Sequence, residues 1–165
     1  MKNAVVYIHG KGGNADEAGH YEKIFVGADV IGFDYKSQTP WEAKEEFPSF
    51  FKTLKTGYGA VTLIANSIGA YFSMNATIDG FVDRAFFISP IVDMEKLICD
   101  MMTWAGINED ELRKKKEIPM DFGETLSWDY LVYARKNPAV WTVPTSILYG
   151  AGDNLTSYET ITGFA

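Results

Sequence analysis

AVTLIANSIGAYF, residues Ala60 to Phe72, is the stretch on which the fold turns. Ala60–Ala65 is a short apolar, partly β-branched run that predicts a strand, and Ile68–Ile78 predicts a helix. Ser67 stands at the junction, with the small residues Ala65 and Gly69 two positions to either side. A strand-to-helix turn this sharp strains the backbone and leaves no room for side chains at those two flanking positions. This geometry is a nucleophile elbow, with Ala65 where a first glycine is usual. It lifts the Ser67 hydroxyl above the C-terminal edge of a sheet, and it sets the N–H of Ile68 at the positive end of the helix, facing a developing oxyanion. The competing reading of the same letters is a serine that only caps a helix.

Further runs of this kind recur at Ala4–Ile8, Val30–Phe33, Arg84–Ile88 and Ser146–Tyr149. Helical segments are predicted between them, at Ala15–Phe25 and Trp41–Leu54, with Pro48 expected to kink or divide the second. Thr39, Pro40 and Glu42 supply a cap, a first-turn proline and a capping-box acid; Asn108 with Glu111 is a looser pair of the same kind. Alternating strands and helices predict an α/β class with a parallel sheet of about five strands in a three-layer arrangement. Residues 94–144 form a long excursion after the fourth strand, rich in Met and aromatic side chains such as Met101, Met102, Trp104, Trp128 and Trp141. They are expected to form a short helical cap, either a lid over an apolar ligand or helices that merely pack on the core.

The first strand runs into His9-Gly10-Lys11-Gly12-Gly13-Asn14-Ala15, which has two readings. Gly10, Gly12 and Ala15, with Asp34 about 20 residues on, satisfy a dinucleotide-binding fingerprint. That reading leaves His9, the turn at Ser67 and the acid after the fifth strand as coincidences. In the other reading the loop serves a tetrahedral intermediate; backbone N–H groups aimed at an oxyanion use the same physics as phosphate binding. The fifth strand ends in Gly150-Ala151-Gly152-Asp153, which puts an acid on the same sheet edge as Ser67, suited to holding an imidazole in one tautomer.

In these three motifs and in their order along the chain, the sequence resembles the α/β-hydrolase superfamily, in particular its small, short-lidded serine esterase-like members. The resemblance spans essentially all 165 residues and implies one α/β-hydrolase domain over 1–165, with 94–144 as its cap and a strand order lacking the family's first hairpin. It implies that Ser67 is the nucleophile, Asp153 the triad acid, and the N–H groups of Ile68 and of Lys11 or Gly12 the oxyanion hole. Serine at the nucleophile position implies an acyl-enzyme and cleavage of small carboxylic esters or thioesters, with no cofactor or metal. Asp93, just past the fourth strand, competes with Asp153 for the acid, because some members place it there. The family's catalytic His follows the acid, and no His follows Ser67 here. His9 matches the family's structural His on the oxyanion strand, and His20 reads as a surface residue. The expectation is therefore a chain truncated before the family's last strand, helix and His, impaired in isolation and left with an exposed sheet edge. A non-catalytic binding protein of the same shape is the rival.

The resemblance implies a small acyl substrate as the partner, and composition argues against other classes. A net charge of −7 and the absence of a clustered basic face argue against nucleic acid. The basic run Arg113–Lys116 is bracketed by Glu109, Asp110, Glu111 and Glu117 and reads as a solvated helix face. No stretch approaches a membrane span. His9, Asp16, Glu17 and His20 lack the compact spacing of metal ligands. A lone Cys99 permits no internal disulfide, and the N-terminus lacks a signal-peptide core, so a cytoplasmic location is expected.

Overall fold

The computed structural model of the chain describes all 165 residues. They divide into two compact units, one of Met1–Val92 with Ala139–Ala165 and one of Asp93–Pro138. The first is built on β1 (Asn3–Ile8), β2 (Ala28–Gly32), β3 (Val61–Asn66) and β4 (Arg84–Ile88). Between and after these come α1 (Pro40–Gly57) and α2 (Ile68–Asn75). The second unit holds α3 (Met94–Ala105), α4 (Glu109–Lys115), the hairpin of β5 (Glu117–Pro119) and β6 (Thr125–Ser127), and α5 (Trp128–Lys136). The chain then returns to the first unit as β7 (Thr145–Leu148) and α6 (Tyr158–Phe164).

Five strands form one parallel sheet in the order β2-β1-β3-β4-β7. Every expected strand is present, with ends displaced by no more than two residues. A parallel sheet covered on both faces needs strands that are apolar throughout, and Ala4 through Ile8 of β1 are all buried. On one face Val5, Tyr7 and Ile64 pack with Ala18, Tyr21 and Phe25. On the other, α2 lies so close to β1 that a Cβ on Gly69 would sit 2.6 Å from the His9 carbonyl oxygen and 2.9 Å from Ile8 Cγ2. α1 belongs with α2, and its Phe47 and Phe51 are fully buried beside Phe33, which also stacks on Phe50 at 4.0 Å.

Three local expectations are corrected. α1 runs unbroken through Pro48. A proline there deletes one intrahelical bond, and the buried phenylalanines on either side, with a full capping box between Thr39 and Glu42, hold the helix together. The segment predicted as a helix over Ala15–Phe25 is a 3-10 helix over Ala15–Tyr21, capped by Asn14. Gly19 weakens an α-helix here, and the start of the segment lies directly against Gly32 of β2, an approach that the tighter 3-10 form accommodates. The excursion expected as helices alone contains the β5–β6 hairpin, turned around Gly123 at φ 84°.

Within the second unit, Asn108 caps α4 as read, and Arg135 of α5 reaches Glu95 of α3 at 2.6 Å and grips Glu109 of α4 with both terminal nitrogens. The basic run lies on α4, where Arg113 pairs with Asp110 and Lys115 with Glu111, each at 2.8 Å. No helix of the chain is long and apolar enough to cross a membrane.

Gly32 tests the packing of the 3-10 segment on β2. A Cβ there would fall 1.9 Å from the Ala15 carbonyl oxygen, a backbone atom that cannot swing aside. Gly32→Ala is expected to cost about 3 kcal/mol or more, read as a lowered urea midpoint at unchanged slope.

Candidate functional site

Parallel strands present all their C-terminal ends on one edge of the sheet, so the loops after β1, β3, β4 and β7 share that edge. Ser67 follows β3 directly and has φ 51° and ψ −116°, a conformation that L residues rarely adopt. Such a residue costs roughly 1–3 kcal/mol and persists only where its surroundings hold it. Here they do. The Ser67 N–H donates to the Ile88 carbonyl at the end of β4 at 3.0 Å, and the Ser67 carbonyl accepts from Ala70 and from Ile91, each at 3.2 Å. The Ser67 side chain makes no capping bond to α2, which removes the rival reading of a simple N-cap. Ile68 is the first residue of α2, so its N–H has no acceptor within the helix.

The loop after β1 is brought against this turn. A Cβ on Gly10 would lie 3.3 Å from Ser67 Cβ and 3.4 Å from the Asn66 carbonyl oxygen, so glycine is what allows the approach. Gly10 to Gly13 close a tight turn, with the Gly13 N–H on the Gly10 carbonyl at 3.1 Å and Gly12 at φ 76°. A positive φ at the third position is the mark of a type II turn and selects glycine. The turn bond uses the Gly13 N–H, and Lys11 and Gly12 are the two residues between its ends. The helix that a dinucleotide fingerprint requires directly after this turn is replaced by the seven-residue 3-10 segment, and Asp34 pairs with Lys36 at 2.7 Å.

His9 has a structural setting. Its Nδ1 donates to the Gly10 carbonyl at 2.8 Å, which assigns the proton to that nitrogen, since a carbonyl only accepts. Its ring stacks on Tyr35 at 4.4 Å, and the Tyr35 hydroxyl donates to the His9 carbonyl at 2.8 Å. His20 is exposed near the end of the 3-10 segment. Asp153 lies past β7, two strand positions from Ser67, so about 10 Å separates the strands that carry them. Its Oδ1 accepts from the N–H groups of Leu155 at 2.8 Å and Thr156 at 3.2 Å, a turn that fixes the carboxylate while both bonds fall on one oxygen. Asp93 is exposed and caps α3 through the Lys96 N–H at 2.9 Å.

Two features of the edge were not read from the sequence. Ser89, after β4, also has a positive φ, 41°, and its Oγ lies 3.3 Å from where a Gly150 Cβ would stand. Its position between a strand and Pro90 was the available signal. Glu17 accepts a bond from the Tyr7 hydroxyl at 2.6 Å, and its carboxylate would touch a Cβ on Gly13 at 2.9 Å, so it backs the loop. Burial and the neighbouring Glu17 carboxylate hold the Tyr7 phenol well above its usual range. No periodicity in the sequence marks that pairing.

The strain at Ser67 predicts that Ser67→Gly stabilises the fold by about 1 kcal/mol, measured by denaturation; a loss of about 1 kcal/mol would instead identify a helix cap. Burial pushes the Tyr35 phenol up to about 12, with the Glu46 charge adding to it. Its ordinary value is near 10, so the unfolded chain loses this proton first. Stability linked to Tyr35 is complete below about pH 10 and is lost as pH rises toward 12, a trend that tyrosinate absorbance and alkaline denaturation follow and that Tyr35→Phe removes.

No protein-family sequence model matches the chain, and no curated protein sequence matches it. Solved structures do. Est1E from Butyrivibrio proteoclasticus superposes with a TM-score of 0.74 at 17% identity, over 99% of this chain and 73% of that one. Alpha/beta hydrolase domain-containing protein 10 from mouse gives 0.75 at 15% identity, over 96% of this chain and 73% of that one. A lipase-esterase related protein from Clostridium acetobutylicum gives 0.62 at 18% identity, over 99% and 82%. With its strand order, its turn at Ser67 and these superpositions in agreement, the chain has the α/β-hydrolase fold.

Proposed function

We propose that this chain carries the acyl-transfer core of a serine hydrolase that cleaves small carboxylic esters or thioesters through an acyl-enzyme on Ser67. The observation that carries the reading is the backbone of Ser67, held at φ 51° and ψ −116° with a side chain that caps nothing. Strain kept at a hydroxyl with no structural task is strain kept for chemistry. The shared fold with esterase-related proteins supports the acyl class, and serine at this place favours an acyl-enzyme over an alkyl one.

In this reading Ser67 Oγ attacks the acyl carbon while an imidazole takes its proton, and the carbonyl electrons move onto oxygen. That oxyanion faces the N–H of Ile68 and of Gly12 or Lys11, whose directions are set before substrate arrives. Collapse expels the alkoxide or thiolate, which takes the proton from the imidazolium, and water then repeats the sequence on the acyl-enzyme. Asp153 orients the imidazole through Oδ2, the oxygen left over from its turn. His9 serves the loop after β1, with its Nδ1 proton on the Gly10 carbonyl and its ring on Tyr35, and His20 lies on the 3-10 segment. In this reading neither of them is the base, and an added imidazole can take that role.

Free imidazole tests this directly. With p-nitrophenyl acetate, the protein-dependent rate is expected to rise with imidazole concentration, and Ser67→Ala is expected to return it to that of imidazole alone. Equal rates for the two proteins at every imidazole concentration would overturn the assignment of Ser67.

A further inference from the structure

Two neighbouring strands end in serines of the same unusual conformation. The register of β3 on β4 pairs Asn66 with Ile88, and the bond from the Ser67 N–H to the Ile88 carbonyl extends it by one step, so Ser67 and Ser89 are partners across the ladder. Paired strands stand about 4.8 Å apart, which sets the spacing of the two residues. Ser89 has φ 41° beside the 51° of Ser67. Its N–H is bound to the Leu148 carbonyl at 2.8 Å, so its main chain is held from the β7 side. Pro90 has no N–H with which to continue the ladder, and the Ser67 carbonyl takes its bond from Ile91 instead. The Ser89 hydroxyl makes no hydrogen bond within the chain. Position 150 is an exposed glycine, where a Cβ would stand 3.3 Å from Ser89 Oγ, and its absence leaves the hydroxyl uncovered. Ser67 therefore has the glycine-rich loop on its β1 side and a second strained serine, with an unengaged hydroxyl, on its β4 side.

We infer that Ser89 is a substrate-binding residue of this site, donating its hydroxyl to the leaving oxygen of an ester at Ser67 and so selecting oxygen esters over thioesters. The inference rests on the reading of Ser67 as the nucleophile. A tetrahedral carbon on Ser67 Oγ carries three other groups: the oxyanion, the acyl chain and the leaving group. The oxyanion takes the side of Ile68 and the β1 loop. The leaving group accepts its proton from the imidazolium, which Asp153 orients from beyond β7, so it departs on the β4 side, past Ser89. As the C–O bond breaks, its electron pair goes to the leaving oxygen and the imidazolium proton follows. The Ser89 proton stays on Ser89 as a hydrogen bond. That bond is stronger to a developing alkoxide than to the ester oxygen of the substrate, which is the condition for it to raise the rate. Sulfur is a weak acceptor, so the same hydroxyl offers little to a departing thiolate.

Phenyl acetate and S-phenyl thioacetate share an acyl group and differ in the departing atom, and they are compared at one fixed concentration of added imidazole. For each, kcat/KM reports acylation, before the common acetyl-enzyme is hydrolysed. Ser89→Gly deletes the hydroxyl where the positive φ suits glycine, so its urea midpoint is expected to be no lower than that of the unmodified chain. In this variant the Ser67-dependent kcat/KM is expected to fall about tenfold on phenyl acetate and less than twofold on the thioester. Gly150→Ala, which crowds Ser89 Oγ, is expected to shift the ratio in the same direction. Equal losses on the two substrates, or no loss on either, overturn the inference and leave Ser67 as the nucleophile. Rates on both substrates that Ser67→Ala does not lower overturn the reading of Ser67, and this inference with it.

Discussion

The bond from the Ser67 N–H to the Ile88 carbonyl is the constraint around which the rest of the edge is arranged. It ties a residue with positive φ to the neighbouring strand, and two further bonds to the Ser67 carbonyl close the turn from the other side. Without them the chain would relax into an ordinary helix entrance, with the hydroxyl turned onto the first N–H groups of α2. The cost of the turn is met by burial nearby, because Ala65 and Ala70 are fully enclosed and α2 is buried along most of its length. A strained turn on a buried helix stays where it is put, and that rigidity is what an acyl-transfer site requires.

Close backbone approach is the second half of the arrangement. Gly69 lets α2 descend onto the end of β1, and Gly10 lets the loop after β1 reach Ser67. Each is a place where one carbon would push apart two pieces of main chain. The tight turn from Gly10 to Gly13 is then steadied from behind by Glu17 and Tyr7 and from the side by His9 on Tyr35. These polar groups act on the loop's position. His9 therefore serves the loop that is brought against Ser67.

The five strands, the turn at Ser67 and the capping of α1 and α4 were legible because each depends on neighbours in sequence: apolar runs, small residues two positions from a serine, Thr or Asn three positions before Glu. What escaped depends on packing between segments or on elements too short to leave a pattern. The 3-10 form of Ala15–Tyr21 follows from Gly32 lying against Ala15, the unbroken α1 from aromatic packing that outweighs Pro48, and the β5–β6 hairpin from strands of only three residues. Neither Ser89 at positive φ nor the Tyr7–Glu17 pair leaves a periodic trace. The Gly-rich turn before Asp153 was legible, but the bonds that occupy its Oδ1 needed coordinates.

The most direct measurement is a crystal structure of the chain soaked with a small arylboronic acid, because a boronate adopts the tetrahedral geometry of the intermediate without needing the imidazole. The account predicts boron bonded to Ser67 Oγ and one boronate oxygen roughly 2.7–3.1 Å from the backbone nitrogens of Ile68 and of Gly12 or Lys11. Ser67 would keep its positive φ in that complex. A Ser67 hydroxyl turned onto the N–H groups of α2, with the boronate absent or bound elsewhere, would contradict it.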